Sequence, residues 1–121
     1  MLAEGLVWVA EDEGELTGFA ACQLYMDALH LWEIAVRHDR QGRGAGRALM
    51  AEVGAEARRR DAGAVTLTTF RELPWNGPFY ESLGYRILAR HELNGRLTAI
   101  LMRERRLGLD VDARCAMRLT L

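Results

Sequence analysis

The sequence predicts a single α/β domain, a mixed and mostly antiparallel sheet flanked by helices with one parallel βαβ crossover. Three observations predict it. Short apolar runs separated by polar turns fill the first 36 residues, a glycine-rich loop then opens a stretch with helical spacing, and a β-branched run follows that stretch directly. A chain of 121 residues buries about two thirds of the surface its unfolded form exposes, enough for one two-layer core and not for two independent domains.

Residues 6–10 (LVWVA) read as the first strand, and Glu11, Asp12, Glu13, Gly14 and Glu15 turn the chain. Residues 16–26 (LTGFAACQLYM) return as a second strand, Asp27 and Ala28 break it, and residues 29–36 (LHLWEIAV) alternate as a third, which completes an antiparallel meander. Residues 37–46 (RHDRQGRGAG) are polar and glycine-rich. After them Ala48, Leu49, Val53 and Ala57 stand at helical spacing, so a helix is expected over residues 47–60, ended by Ala62 and Gly63. Residues 64–70 (AVTLTTF) are β-branched and read as a buried strand, and strand, loop, helix, strand makes at least one pair parallel. Pro74 and Pro78 bracket Trp75, Asn76 and Gly77; a short helix over residues 79–83 stops at Gly84, and residues 85–88 are extended. Leu93, Leu97, Ile100, Leu101 and Leu107 fit a 3.6-residue period, which places a helix over residues 92–107 with Gly95 weakening its first turn. A loop over residues 110–114 and a strand over residues 115–121 finish the chain.

Composition narrows the function. Sixteen basic side chains against seventeen acidic ones leave a net charge of −1, without the basic excess of a dedicated nucleic-acid binder. No apolar run approaches the ~20 residues of a bilayer span, and the first ten residues lack the basic start and apolar stretch of a secretory signal. A soluble cytoplasmic protein with neither nucleic-acid nor membrane partners is expected. Cys22 and Cys115 lie far apart without a CxxC and read as reduced structural thiols, while His30, His38 and His91 do not cluster at ligand spacing, so no metal is expected. The arginines at 58–60 and at 103, 105 and 106 read as the wet faces of helices.

The chemistry concentrates in residues 41–46 (QGRGAG), between a strand and a helix. A glycine-rich turn there converges backbone N–H groups beside the positive end of the helix dipole, which suits a phosphate or pyrophosphate. The segment lacks the Gly-Lys-Ser/Thr ending of a Walker loop, and it is not a G-x-G-x-x-G following a first parallel strand.

These residues match the Q/R-x-x-G-x-G/A signature of the GNAT superfamily of acyl-coenzyme-A-dependent N-acetyltransferases, in the expected frame of LWEIAV, four residues, signature and helix. Residues 76–85 (NGPFYESLGY) resemble that family's segment of an Asn followed by F-Y-x-x-L-G-F/Y, and the resemblance covers residues 6–88. It implies a GNAT-like fold and acetyl-CoA as co-substrate. The pyrophosphate would lie on the N–H groups of Gln41, Gly42, Arg43, Gly44, Ala45, Gly46 and Arg47, with positive charge from Arg40, Arg43 and Arg47. The pantetheine arm would pair with the backbone of Ile34, Ala35 and Val36, and Asn76, Phe79 and Tyr80 would stand along the coenzyme.

The implied activity is direct acetyl transfer from acetyl-CoA to an amine of a small molecule or peptide. Tyr80 would be the general acid near the sulfur, its phenol protonated below its usual pKa of ~10. A main-chain N–H around Val36 would hold the oxyanion, and His30 or Glu33 would be the base unless water relays the proton. Strand alternation puts His30 on the face of Trp32, Ile34 and Val36, and Glu33 on the other face unless a bulge rotates it. Tyr80 packing on Phe79, and Asn76 capping a helix, are the structural roles that compete. Family members usually begin with a strand and one or two helices before the segment matched by residues 6–10. This chain is expected to lack them and to bury the exposed apolar surface as a homo-oligomer, a dimer. Readings from other classes are a non-catalytic acyl-CoA-binding or sensing domain and an interaction subunit.

Overall fold

A computed structural model of the chain describes residues 4–109 and 113–121. The strands are β1 (Glu4–Asp12), β2 (Glu15–Leu24), β3 (Leu29–Val36), β4 (Ala64–Phe70), β5 (Arg86–Ile87) and β6 (Arg114–Thr120), and the helices are α1 (Ala45–Arg59), α2 (Gly77–Ser82) and α3 (Gly95–Arg106). The strand order is β1-β2-β3-β4-β6-β5, so β4 stands beside β3 after the α1 crossover, as the sequence predicts. The chain forms two compact units, residues 4–65 with Leu121, and residues 66–120 without 110–112. No helix among the described residues is long and apolar enough to cross a membrane.

In the first unit β1, β2 and β3 form the antiparallel meander, Trp8 facing Ala20 and Ala20 facing Ile34 across the strands. One side of this meander is closed, with Ala20, Cys22 and Leu31 buried, and α1 turns Leu49, Met50, Val53 and Ala57 inward. The other side is open at the edge strand, where Val7 is 68% and Val9 54% exposed. Gly18 sits where β2 and β3 crowd together: a Cβ there would stand 2.6 Å from the Ala35 carbonyl oxygen. A glycine inside an otherwise apolar strand marks such a close approach.

In the second unit Leu97 of α3 packs with Leu88 and Ala116, and Leu93, Ile100 and Leu101 close over them. A polar layer lies beside that core. Glu104 takes the Arg114 guanidinium through Nε at 2.9 Å and accepts the Thr68 hydroxyl at 2.7 Å, while Arg114 also stacks over Phe70 at 4.7 Å. Cys22 and Cys115 are free and buried, and burial pushes both thiols upward, Cys22 to about 12.

Several boundaries differ from expectation for local reasons. The last helix begins at Gly95 and not at residue 92, because Asn94 accepts the Leu97 N–H at 2.9 Å and caps it; residues Arg90–Glu92 form a separate 3-10 turn. The extended segment at 85–88 shrinks to the two residues of β5, since the Tyr85 N–H donates to the Tyr80 carbonyl at 3.1 Å and so closes α2. The short helix starts at Gly77, two residues before the expected start. Of the loop expected over residues 110–114, residues 110–112 lie outside the described residues, and Arg114 already belongs to β6.

Candidate active site

Between β3 and α1 the chain makes a 3-10 turn at His38–Arg40 and then the glycine loop. Gly42 has φ +81° and Gly44 φ +88°, left-handed backbone that other residues adopt only at a cost, and a Cβ at either would meet nothing within 4 Å. The glycines therefore serve the turn and leave open space over it. Gly44 is the N-cap of α1 and supplies no side-chain acceptor, and no acidic residue stands in the first turn. The first N–H groups of an α-helix have no carbonyl behind them, so those of Ala45, Gly46 and Arg47 end α1 as uncapped donors at its positive pole.

The arginines divide. Arg40 turns toward the β1–β2 hairpin, 3.6 Å from Asp12 and 3.2 Å from Glu15, and Arg37 joins Glu15 at 3.2 Å and Asp39 at 2.8 Å. Its expected place among the positive charges of the loop is thus taken by contacts 25 residues upstream. Arg43 and Arg47 are exposed and carry no carboxylate partner among the described residues. A cavity of about 650 Å³ opens beside the loop, with Trp8, Thr17, Arg40, Arg43, Ala45 and Ala48 in its wall.

β3 runs directly into this loop. The Arg37 N–H donates to the Thr17 carbonyl at 2.7 Å. Successive residues of an antiparallel ladder bond to alternate sides, so the Val36 N–H and the polar groups of Ile34 face away from β2 while Ala35 faces it. The Gln41 side chain donates to the Val36 carbonyl at 3.1 Å and ties the loop to the end of the strand.

The pairing of β2 with β3 shifts by one residue between Ala21 and Cys22: Cys22 faces Leu31, whereas Ala21 faces Glu33. Trp32 is the extra residue of a β-bulge. The bulge changes the expected alternation, for Gln23 faces His30 and Phe19 faces Ala35, so His30 and Glu33 share one face and Ile34 and Val36 lie on the other. Glu33 is exposed, whereas His30 is fully buried with the Trp32 ring edge-on against it at 4.6 Å between centroids.

In the second unit Phe79 and Tyr80 follow each other on α2, their rings T-shaped at 5.2 Å, and Tyr85 meets Tyr80 at 5.9 Å. Tyr80 is buried, and desolvation pushes its phenol up to about 12. Asn76 holds the N-cap position of α2 without capping it: its Oδ1 accepts the Thr69 hydroxyl at 2.7 Å. That bond, the arginine division and a hydrogen-bonded Trp32 are features that residue types alone do not reveal; only Gly18 carried a readable signal, a glycine within an apolar strand.

Known proteins resemble this chain in sequence pattern and fold. The family model described as an acetyltransferase (GNAT) domain matches residues 3–87. An acetyltransferase from Bacillus cereus ATCC 14579 is similar at a TM-score of 0.72 and 20% identity, over 98% of this chain and 74% of that one. The PaiA N-acetyltransferase of Thermoplasma acidophilum, in complex with coenzyme A, gives 0.72 and 14%, over 97% and 61%. The ribosomal-protein-S18-alanine N-acetyltransferase of Escherichia coli gives 0.72 and 24%, over 96% and 68%. The chain thus spans about three fifths to three quarters of the length of such structures.

Proposed function

This chain belongs to the GNAT acetyltransferase family, and from that premise we propose that it moves an acetyl group from acetyl-CoA directly onto an amine of a small molecule or peptide. The observation that carries the reading is the uncapped start of α1 after two left-handed glycines, with no acid in its first turn. Residues of this loop fit a diphosphate: the N–H groups from Gly42 through Arg47 would hold it, that of Gln41 donating instead to the His38 carbonyl at 3.5 Å, with Arg43 and Arg47 adding charge. The main chain of β3 at Ile34 and Val36, whose polar groups turn away from β2, would take the pantetheine arm, while Ala35 stays anchored to β2.

The transfer needs three groups. Glu33 accepts the proton of the incoming ammonium, a role we assign to it over His30 because Glu33 is exposed and His30 is sealed beneath Trp32. As the amine nitrogen bonds to the carbonyl carbon, the Val36 N–H donates to the oxygen on which charge develops. The carbon–sulfur bond then breaks, Tyr80 would give its proton to the departing sulfur, and the second proton lost by the nitrogen as it becomes an amide would restore the phenol; a phenol held up to about 12 stays protonated for that task throughout the neutral range. Asn76 and Phe79 position α2 around Tyr80. A second copy of the chain adding at the exposed Val7 and Val9 of edge strand β1 would bury that apolar stripe, which supports self-association in the cytoplasm.

The test is a calorimetric titration with acetyl-CoA followed by free-thiol release over a panel of amines. Binding with turnover, and a Tyr80→Phe variant that keeps its coenzyme affinity but loses rate, are expected. Absence of binding at millimolar acetyl-CoA overturns the reading, and binding with no turnover on any amine leaves a coenzyme-sensing domain in its place.

A further inference from the structure

The open face of β2 and β3 carries an aromatic side chain that is both exposed and held still. Trp32 is 45% exposed. Its indole Nε1 donates to Gln23 Oε1 at 2.7 Å, and the Tyr25 hydroxyl donates to the same oxygen at 2.9 Å, so both lone pairs of that carbonyl are used and the amide cannot turn. The ring edge rests on His30 at 4.6 Å. A bulge residue has been re-aimed and then fixed by two contacts, one of them held in turn by Tyr25, which a solvated surface tryptophan does not require.

The surroundings of this ring are selective in charge. Phe19 lies on the same face through its pairing with Ala35, and Glu33 follows Trp32 in the chain; it is the one carboxylate that the strand pairing places on this face of β2 and β3. An amine with one positive charge can set that charge at Glu33 and lay an apolar body over Trp32. A polyamine or a polyhydroxylated aminosugar brings further polar groups onto the same ring, where they lose water and gain no partner.

The geometry points to Trp32 as the residue that sets acceptor specificity, the acceptor being a small primary amine carried on an aromatic or bulky apolar body. The inference rests on the acetyl-transfer reading above, which puts the reacting nitrogen at Glu33. Gln23 is a positioning residue: it touches no substrate and acts by orienting the indole.

The test measures thiol release from acetyl-CoA with 2-phenylethylamine, spermidine and kanamycin, and in parallel the quenching of tryptophan fluorescence by 2-phenylethylamine with and without coenzyme A. Wild type is expected to favour 2-phenylethylamine by about tenfold in kcat/KM, as one aromatic–aromatic contact commands. Trp32→Ala should lose that preference through KM, with acetyl-CoA affinity unchanged, and Trp32→Phe should keep most of it. Gln23→Leu should raise KM for 2-phenylethylamine alone. Preference for spermidine or kanamycin, or unaltered discrimination in Trp32→Ala, overturns the assignment. If acetyl-CoA does not bind, the transfer reading falls by itself. Quenching that disappears in Trp32→Ala then still supports Trp32 as an amine platform, and quenching that persists there overturns the platform too.

Discussion

Replacing Gly44 by alanine isolates what its left-handed backbone contributes. At φ +88° with nothing within 4 Å of the added carbon, the methyl group meets no neighbour, so the cost is conformational alone. An L-residue in that region costs about 1–2 kcal/mol, and the stiffer unfolded chain returns about 0.4–1 kcal/mol of it. A net loss of about 1 kcal/mol follows, a fall of roughly 4 °C in Tm for a chain of this size. In the free protein the turn relieves this strain by moving φ, which swings the first N–H groups of α1 out of line; binding the coenzyme must restore it. The affinity loss is bounded by the strain, about tenfold. Gly63 supplies the control, with φ +80° and equally open surroundings after the far end of α1. Gly63→Ala should lower Tm by a similar amount and leave acetyl-CoA binding unchanged, and Gly44→Asn, a residue that tolerates this region, should recover most of both losses. Melting curves and calorimetry on the three variants decide it: equal affinity losses in the Gly44 and Gly63 alanine variants, or none in either, would refute the assignment of the coenzyme to this turn.

Two further outcomes concern stability. Glu104→Gln leaves the Arg114 guanidinium, whose side chain is 12% exposed, without its carboxylate and should cost about 2 kcal/mol in denaturant melts, whereas joint replacement by Glu104→Leu and Arg114→Met should recover much of it; equal costs for the single and double variants would contradict a coupled pair. Burial holds Cys22 and Tyr80 up to about 12, above the values of about 8.5 and 10 that they have unfolded. The folded chain keeps protons there that the unfolded chain releases, so stability is full below about pH 8.5 and declines as pH rises toward 12 by several kcal/mol. Cys22→Ala should flatten the lower part of that decline and Tyr80→Phe the upper part; a parallel pH dependence in both variants and wild type would refute the cause.

What residue types disclosed and what they did not follows from range. β3, β4 and the glycine loop are local patterns, and their periodicity and punctuation are carried within a few residues of each position. The last helix started three residues later than its apolar period suggests, because one side chain, Asn94, outweighed a leucine four residues before Leu97. The bulge at Trp32 depends on how two strands register, so alternation along β3 alone placed Glu33 on the wrong face relative to His30. Arg40 looked like part of the loop because it is next to it in sequence, yet its partners Asp12 and Glu15 come from a hairpin that only folding brings near. Asn76 stood where a cap is expected, and a hydroxyl seven residues upstream claimed its oxygen.

The division of the arginines bears on how fast an anionic nucleotide finds the protein. Arg37 and Arg40 spend their field on the neighbouring hairpin, and the whole molecule carries a charge of only −1. Beyond the roughly 8 Å screening length of physiological salt, little is left to guide an approaching ligand. Capture then proceeds by unaided diffusion and collision, at about 10⁵–10⁶ M⁻¹s⁻¹ for an unsteered encounter. Tight coenzyme retention would have to arise from slow departure once the main-chain donors have closed on it.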